Sequence, residues 1–144
     1  MSLLSRFAPA MVIPAAAALL TAGSGTAHAA GDLYGSIAVS TFRVGAAADY
    51  PTQHEADQAA LAACGESTCY IPVRIHNECG SVVERDARSL GSPMPFYFTG
   101  TGATAAEAEA NAMRIAGPEP TGMLFVEITK PAFVLDTICT ANAG

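Results

Sequence analysis

The sequence predicts an α+β fold: two strand-helix-strand repeat units, a mainly antiparallel sheet with two helices on one face, and stabilisation by disulfides. Three observations carry that expectation. Two Ala-rich segments, each opened by the same capping signature, stand about 52 residues apart. Runs of β-branched and aromatic residues flank both segments. Four cysteines, an even number, follow an N-terminal export pattern.

That pattern comes first in the chain. Residues 1–6 carry one cation, residues 7–22 carry no charge, and a small-residue stretch follows in which Ala27 and Ala29 flank His28. This is the arrangement of a cleaved signal peptide over residues 1–29, with the cut between Ala29 and Ala30. The uncharged run holds Pro9 and Pro14 and is mostly Ala, whereas a bilayer span needs about 20 strongly apolar residues. Residues 30–144 are then a single secreted domain with no later membrane span, its repeat units near 33–86 and 94–139.

Residues 33–44 mix β-branched, aromatic and small polar side chains and read as a strand, and 45–51 as a loop. Thr52, with Glu55 three residues on, forms a capping box that opens a helix to about Cys64, and Gly65 fits its C-cap. Ala56, Ala59, Ala60 and Ala63 recur at helical spacing and give a flat face for a sheet. Residues 69–76 read as a strand in which Pro72 argues for an edge position. A turn at 77–80, a short strand at 81–85 and a loop at 86–95 follow. Phe96, Tyr97 and Phe98 open the second unit, and a strand places at least one of these rings on each face. Thr104 and Glu107 repeat the capping box and start a helix to about Ala116, which Gly117, Pro118 and Pro120 end. Residues 123–129 form the most strongly patterned strand, and 133–139 one more. A parallel doubly wound sheet would need more helices.

The repeat also chooses among the three possible cysteine pairings. Aligning the units sets Cys64 on Ala116 and Cys69 on Gly122, so both cysteines are missing together from the second copy. A bonded pair would behave that way, which gives Cys64 with Cys69 and leaves Cys79 with Cys139. The chain-entropy model assigns about 2 kcal/mol to the short ring and about 4 kcal/mol to the long loop. A zinc site is disfavoured by spacings of five, ten and sixty residues without a Cys-x-x-Cys pair.

With 13 Asp plus Glu against 7 Lys plus Arg and a formal net charge of −6, the chain has no basic patch to track a nucleic acid backbone. Other chemistry is sparse. His54, Glu55 and Asp57 cluster in sequence but lack the second His of a zinc-peptidase helix. His76 sits at a strand end, and no Gly-x-Ser-x-Gly elbow surrounds Ser36, Ser40 or Ser81. Gly100-Thr101-Gly102 before a helix reads as a turn feeding the cap, and Arg85 and Arg88 as cations of a solvated loop. No catalytic, cofactor or metal residue is assigned.

Tyr34-Gly35-Ser36-Ile37-Ala38-Val39-Ser40, the acidic Ala-rich helix ending in Cys64-Gly65, then Cys69 and Asn77-Glu78-Cys79-Gly80 resemble a family of small exported bacterial proteins. It is common in actinobacteria and catalogued as domain of unknown function 4189. The resemblance covers most of 33–139 and departs at Ala116-Gly117, where a Cys-Gly ending is expected. It implies export and a small disulfide-bearing module, and supplies no catalytic residues. The expected function is a non-enzymatic binding module, an inhibitor-like partner of another extracellular protein or of an envelope component. The alternatives are a small secreted hydrolase using His54 or His76 with a carboxylate, and a passive cell-surface structural protein.

Overall fold

The computed structural model describes residues 31–144, so the expected signal peptide and the expected cut between Ala29 and Ala30 lie outside the described residues. The elements run β1 (Tyr34–Val39), β2 (Val44–Tyr50), α1 (Gln53–Cys64), β3 (Tyr70–His76), β4 (Cys79–Ser89), β5 (Ser92–Pro93), β6 (Phe96–Gly102), α2 (Ala105–Ala116) and β7 (Val126–Cys139). None of these helices is long and apolar enough to cross a membrane.

All strand pairings are antiparallel. One sheet has the order β2-β1-β3, while in the other β4 is central, with β5 and β6 along one side and β7 along the other. The α+β class, the antiparallel pairing, two helices and two disulfides are therefore all present. The strands divide between two sheets, and each helix covers a face of its own sheet.

Strand alternation explains this layering. Ile37, Val39, Val73 and Ile75 point from the first sheet toward Val82, Tyr97, Leu135 and Ile138 of the second and form the central core. Their neighbours point outward: Ala38 packs under Ala60 and Cys64 of α1, and Val83 under Ala112 and Ala116 of α2. The result is four layers, helix, sheet, sheet, helix.

Each sheet with its helix is one copy of a hairpin-helix-strand unit. The units correct the expected repeat boundaries, because the second starts at Cys79 and not near residue 94. Gly35-Ser36 in β1 recurs as Gly80-Ser81 in β4, each at the start of the central strand of its sheet. The bridges join Cys64 to Cys69 and Cys79 to Cys139. Cys79 and Cys139 are direct partners in the β4–β7 register, so the long bridge clamps the final strand to the centre of its sheet.

Three local expectations need correction. Residues 45–51, expected as a loop, form most of β2. Its residues Gly45, Ala46, Ala47 and Ala48 carry no strand signal; Gly45 and Ala47 are small because α1 crosses them closely, while Ala46 faces the core between the sheets. The expected loop at 86–95 is the outer end of β4 and its hairpin to β5. The final strand begins at Val126 rather than at residue 123, leaving Leu124 and Phe125 exposed. It runs on through Pro131, which an edge strand tolerates because no ladder hydrogen bond is lost.

Candidate functional site

The residues singled out by the sequence are mostly structural in their contacts. The Thr52 hydroxyl accepts from the Glu55 amide (3.3 Å) and donates to its carboxylate (2.8 Å), while His54 is exposed on the first turn. Asp57 points the other way and accepts from Ser36 Oγ (2.5 Å), Gln53 Nε2 (3.0 Å) and Arg74 Nε (2.9 Å), tying α1 to the sheet. Burial works to raise the Asp57 pKa, but those hydrogen bonds outweigh it and hold the carboxyl below its usual range. His54, Glu55 and Asp57 are thus not brought together. Among the described residues, no three His, Cys, Asp or Glu side chains are grouped so as to hold a metal ion.

His76 stacks on Tyr34 with ring centroids 4.6 Å apart and places Nε2 3.0 Å from Asp32 Oδ1. Beside it Asn77, at φ 56°, donates to Asp32 (2.9 Å) and accepts from the Leu33 amide (2.9 Å) and from Asn142 Nδ2 (2.6 Å). This cluster joins both ends of the described chain to the turn between the two units. Hydrogen bonds from Asn77 and His76, and the charge of His76, lower the Asp32 pKa.

Arg85 is corrected from a solvated loop cation to a buried one, 4% exposed. It lies over the Phe98 ring and donates to the carbonyls of Ala116 (3.0 Å) and Gly117 (2.7 Å). It thereby neutralises the negative end of α2, whose last carbonyls lack helical partners. Gly100 to Gly102 belong to β6, and the Ala103 amide ahead of α2 is taken by Glu107 (3.0 Å), which satisfies the group that an anion would need.

The arrangement with most chemical potential was not legible as a site. Beyond Val82 the inner face of β4 continues past the short strand β1, and alternation sets Glu84 and Asp86 on that same face. The turn at residues 40–43 hangs over them. Adjoining pockets of 240 and 280 Å³ share Thr41, Phe42, Glu84 and Asp86 and form one cleft, lined by Tyr97, Pro93 and Pro95 on the β5–β6 side of β4 and by Phe133 on the β7 side.

That turn is held firmly. The Ser40 amide donates to the Arg43 carbonyl (2.8 Å), the Arg43 amide donates to Ser40 Oγ (3.1 Å), and Ser40 Oγ donates to Glu66 (2.6 Å). From below, the Tyr97 hydroxyl donates to the Ser40 carbonyl (2.6 Å). Phe42 rides on this frame and is 74% exposed. Burial of Tyr97, with the charges of Glu84, Tyr70 and Asp86, pushes its phenol pKa up, so it stays a donor.

Burial first, then the hydrogen bond and charge of Asp86, together raise the Glu84 pKa to about 7 against the opposing charge of Lys130. The folded protein therefore binds an extra proton between pH 4.5, the ordinary glutamate value, and about 7. This contribution to stability is whole below pH 4.5 and is lost as pH rises through about 7. Because solvent enters the cleft, the loss is about 1 kcal/mol after screening. Glu84→Gln is expected to flatten this slope in urea unfolding followed between about pH 5 and 8. A variant keeping the wild-type slope would assign the proton to another group.

Sequence reading missed this pair because it ended the strand at Arg85. The available signal was two acids two residues apart in a segment of strand-like alternation, Val82-Val83-Glu84-Arg85-Asp86. No curated protein and no solved structure matches the chain. A family model does, the one described as Domain of unknown function (DUF4189), over residues 34–118. The match runs from β1 through α2 and takes in Phe42, Glu84 and Asp86. A match over more than half of the sequence shows that the chain belongs to the DUF4189 family.

Proposed function

We propose that the protein is an exported, disulfide-clamped binding module without catalytic activity, and that its cleft receives a cationic group of an extracellular protein or envelope component. The supporting observation is Phe42, an aromatic ring 74% exposed on a turn fixed by hydrogen bonds, standing beside the Glu84–Asp86 pair. A rigid aromatic anchor loses little entropy on binding, and a carboxylate pair with a shared proton becomes fully anionic when a cation approaches. A lysine or arginine side chain presents the matching ammonium or guanidinium with an apolar stem to lie along Phe42.

The test is affinity capture from matched envelope extract and culture medium, with oxidised wild type and oxidised Phe42→Ala/Glu84→Gln as parallel baits. A discrete partner held by the wild type and reduced at least tenfold on the variant is expected. Equal recovery on both baits would remove the cleft from recognition, and no specific partner would favour a passive surface component.

The hydrolase reading has one observation in its favour, the 3.0 Å pairing of His76 with Asp32. The double variant His54→Ala/His76→Ala separates the two readings, since a binder keeps its partner and such a hydrolase loses its activity.

A further inference from the structure

A second groove, of 370 Å³, opens where the edges of the two sheets run side by side beneath α2. Pro72 and Arg74 of β3, Thr99 and Thr101 of β6, and Asn111 and Arg114 of α2 line it. Both strands are edges: β3 pairs with β1 alone and β6 with β4 alone. A free edge is a row of unpaired N–H and C=O groups and a template for another strand. On β3, Pro72 removes a donor from that row. On β6 there is no proline. Asn111 Nδ2 donates to the Thr101 carbonyl (2.8 Å), which is therefore turned toward the groove and away from β4. By strand alternation the backbone groups of Thr99 and Tyr97 share that orientation.

The charge of the groove reverses that of the molecule. The chain holds 13 acidic residues against 7 basic ones, yet the groove has two guanidinium groups and no carboxylate among its lining residues. Arg74 commits Nε to Asp57, and Arg114 makes no ion pair with any described residue. A cation in the last turn suits the dipole of α2, but that role does not require an adjoining groove with an open strand edge.

We propose that the free edge of β6 is a docking site for an extended acidic peptide segment of a partner protein, added as a strand with a carboxylate set against Arg114. Main-chain pairing along Thr99 supplies affinity, and Arg114, whose charge no described carboxylate takes up, selects acidic over basic sequences. This docking does not depend on the Phe42 cleft: Tyr97 also lines that cleft, but Thr99 and Thr101 line only the groove and their amides distinguish the two sites.

The test is a titration of the ¹⁵N-labelled, oxidised protein with a terminally blocked pentapeptide of alternating glutamate and valine. The lysine-valine peptide and sodium sulfate serve as separate arms. The expected result is saturable shifts at the Tyr97, Thr99 and Thr101 amides with the glutamate peptide and at least tenfold slower hydrogen exchange at Thr99. Arg114→Glu, at an exposed position, should weaken that binding at least tenfold while leaving the rest of the spectrum in place. Thr99→Pro, which removes the edge donor, should abolish it in a protein that still unfolds cooperatively. Equal binding of the lysine peptide, unaltered binding by Arg114→Glu, or saturation by sulfate with identical shifts would each overturn strand docking. So would the absence of β6 shifts at millimolar peptide.

Discussion

Replacing Cys79 and Cys139 together by alanine is expected to lower the unfolding free energy by about 4 kcal/mol, against about 2 kcal/mol for the Cys64/Cys69 double variant. The difference follows from sequence separation, 60 residues for one bridge and 5 for the other. A long crosslink removes far more freedom from the unfolded chain than a short one. The location of the bridge adds to this. Cys79 opens the central strand of the second sheet and Cys139 closes the edge strand beside it, so the bridge holds the last strand in register at its far end. Small domains commonly have only about 5–15 kcal/mol in total, and the interfaces beneath both helices here are lined largely by alanine, which contributes little buried area per residue. Loss of the long bridge therefore removes a large fraction of the stability. Urea unfolding of the two oxidised double variants measures both costs. A larger loss from the Cys64/Cys69 pair would show that local constraint at the end of α1 outweighs closure of the long loop.

The features legible in the sequence are those that depend on near neighbours. Both helices begin where Thr52 and Thr104 place them, because a capping box needs only residues three apart, and Gly65 takes the left-handed conformation (φ 75°) that its C-cap position demands. The cysteine pairing was readable for another reason, the joint absence of two cysteines from a repeated unit. Features set by distant contacts were not. Gly45 to Ala48 have no strand propensity and become a strand because β1 offers its edge and α1 covers their outer face. Leu124 and Phe125, apolar and strand-like in sequence, lie outside the sheet, with Phe125 in the left-handed region at φ 66°.

The candidate site was hidden by the same limit. Glu84, Arg85 and Asp86 read as a polar loop, but β4 is central and continues to Ser89 because β5 and β7 pair with its outer half. Once it is a strand, alternation separates its charges. Arg85 goes to the helix side and is neutralised by the end of α2, while Glu84 and Asp86 face the cleft beneath Phe42. The length of β4 relative to β1 thus creates both the cleft and its charge, and neither length could be set without knowing the partner strands.

Gly45→Ala and Gly100→Ala are each expected to cost about 3 kcal/mol or more, at or above the top of the usual overpacking range. A Cβ on Gly45 would lie 2.1 Å from the Cys64 nitrogen and 2.5 Å from the Ala60 carbonyl oxygen. On Gly100 it would lie 2.4 Å from the Ala112 nitrogen and 2.6 Å from the Ala108 carbonyl oxygen. These atoms are helix backbone, so no side chain can rotate away, and the helix must lift off its sheet. Neither glycine has a positive φ, so the cost is one of contact and not of conformation. Gly91 and Gly122 provide the contrast: they have φ of 83° and 77° with nothing within 4 Å of a Cβ. Alanine there should cost only about 1 kcal/mol, from backbone strain. The mechanism makes a further demand on Gly45→Ala, that trimming the helix face with Ala60→Gly should not restore stability, because the obstructing atoms at Ala60 and Cys64 remain. Thermal unfolding of the single and double variants reads both points. Rescue by Ala60→Gly would mean that side chains set the distance from α1 to its sheet, whereas a loss that persists places that control in Gly45.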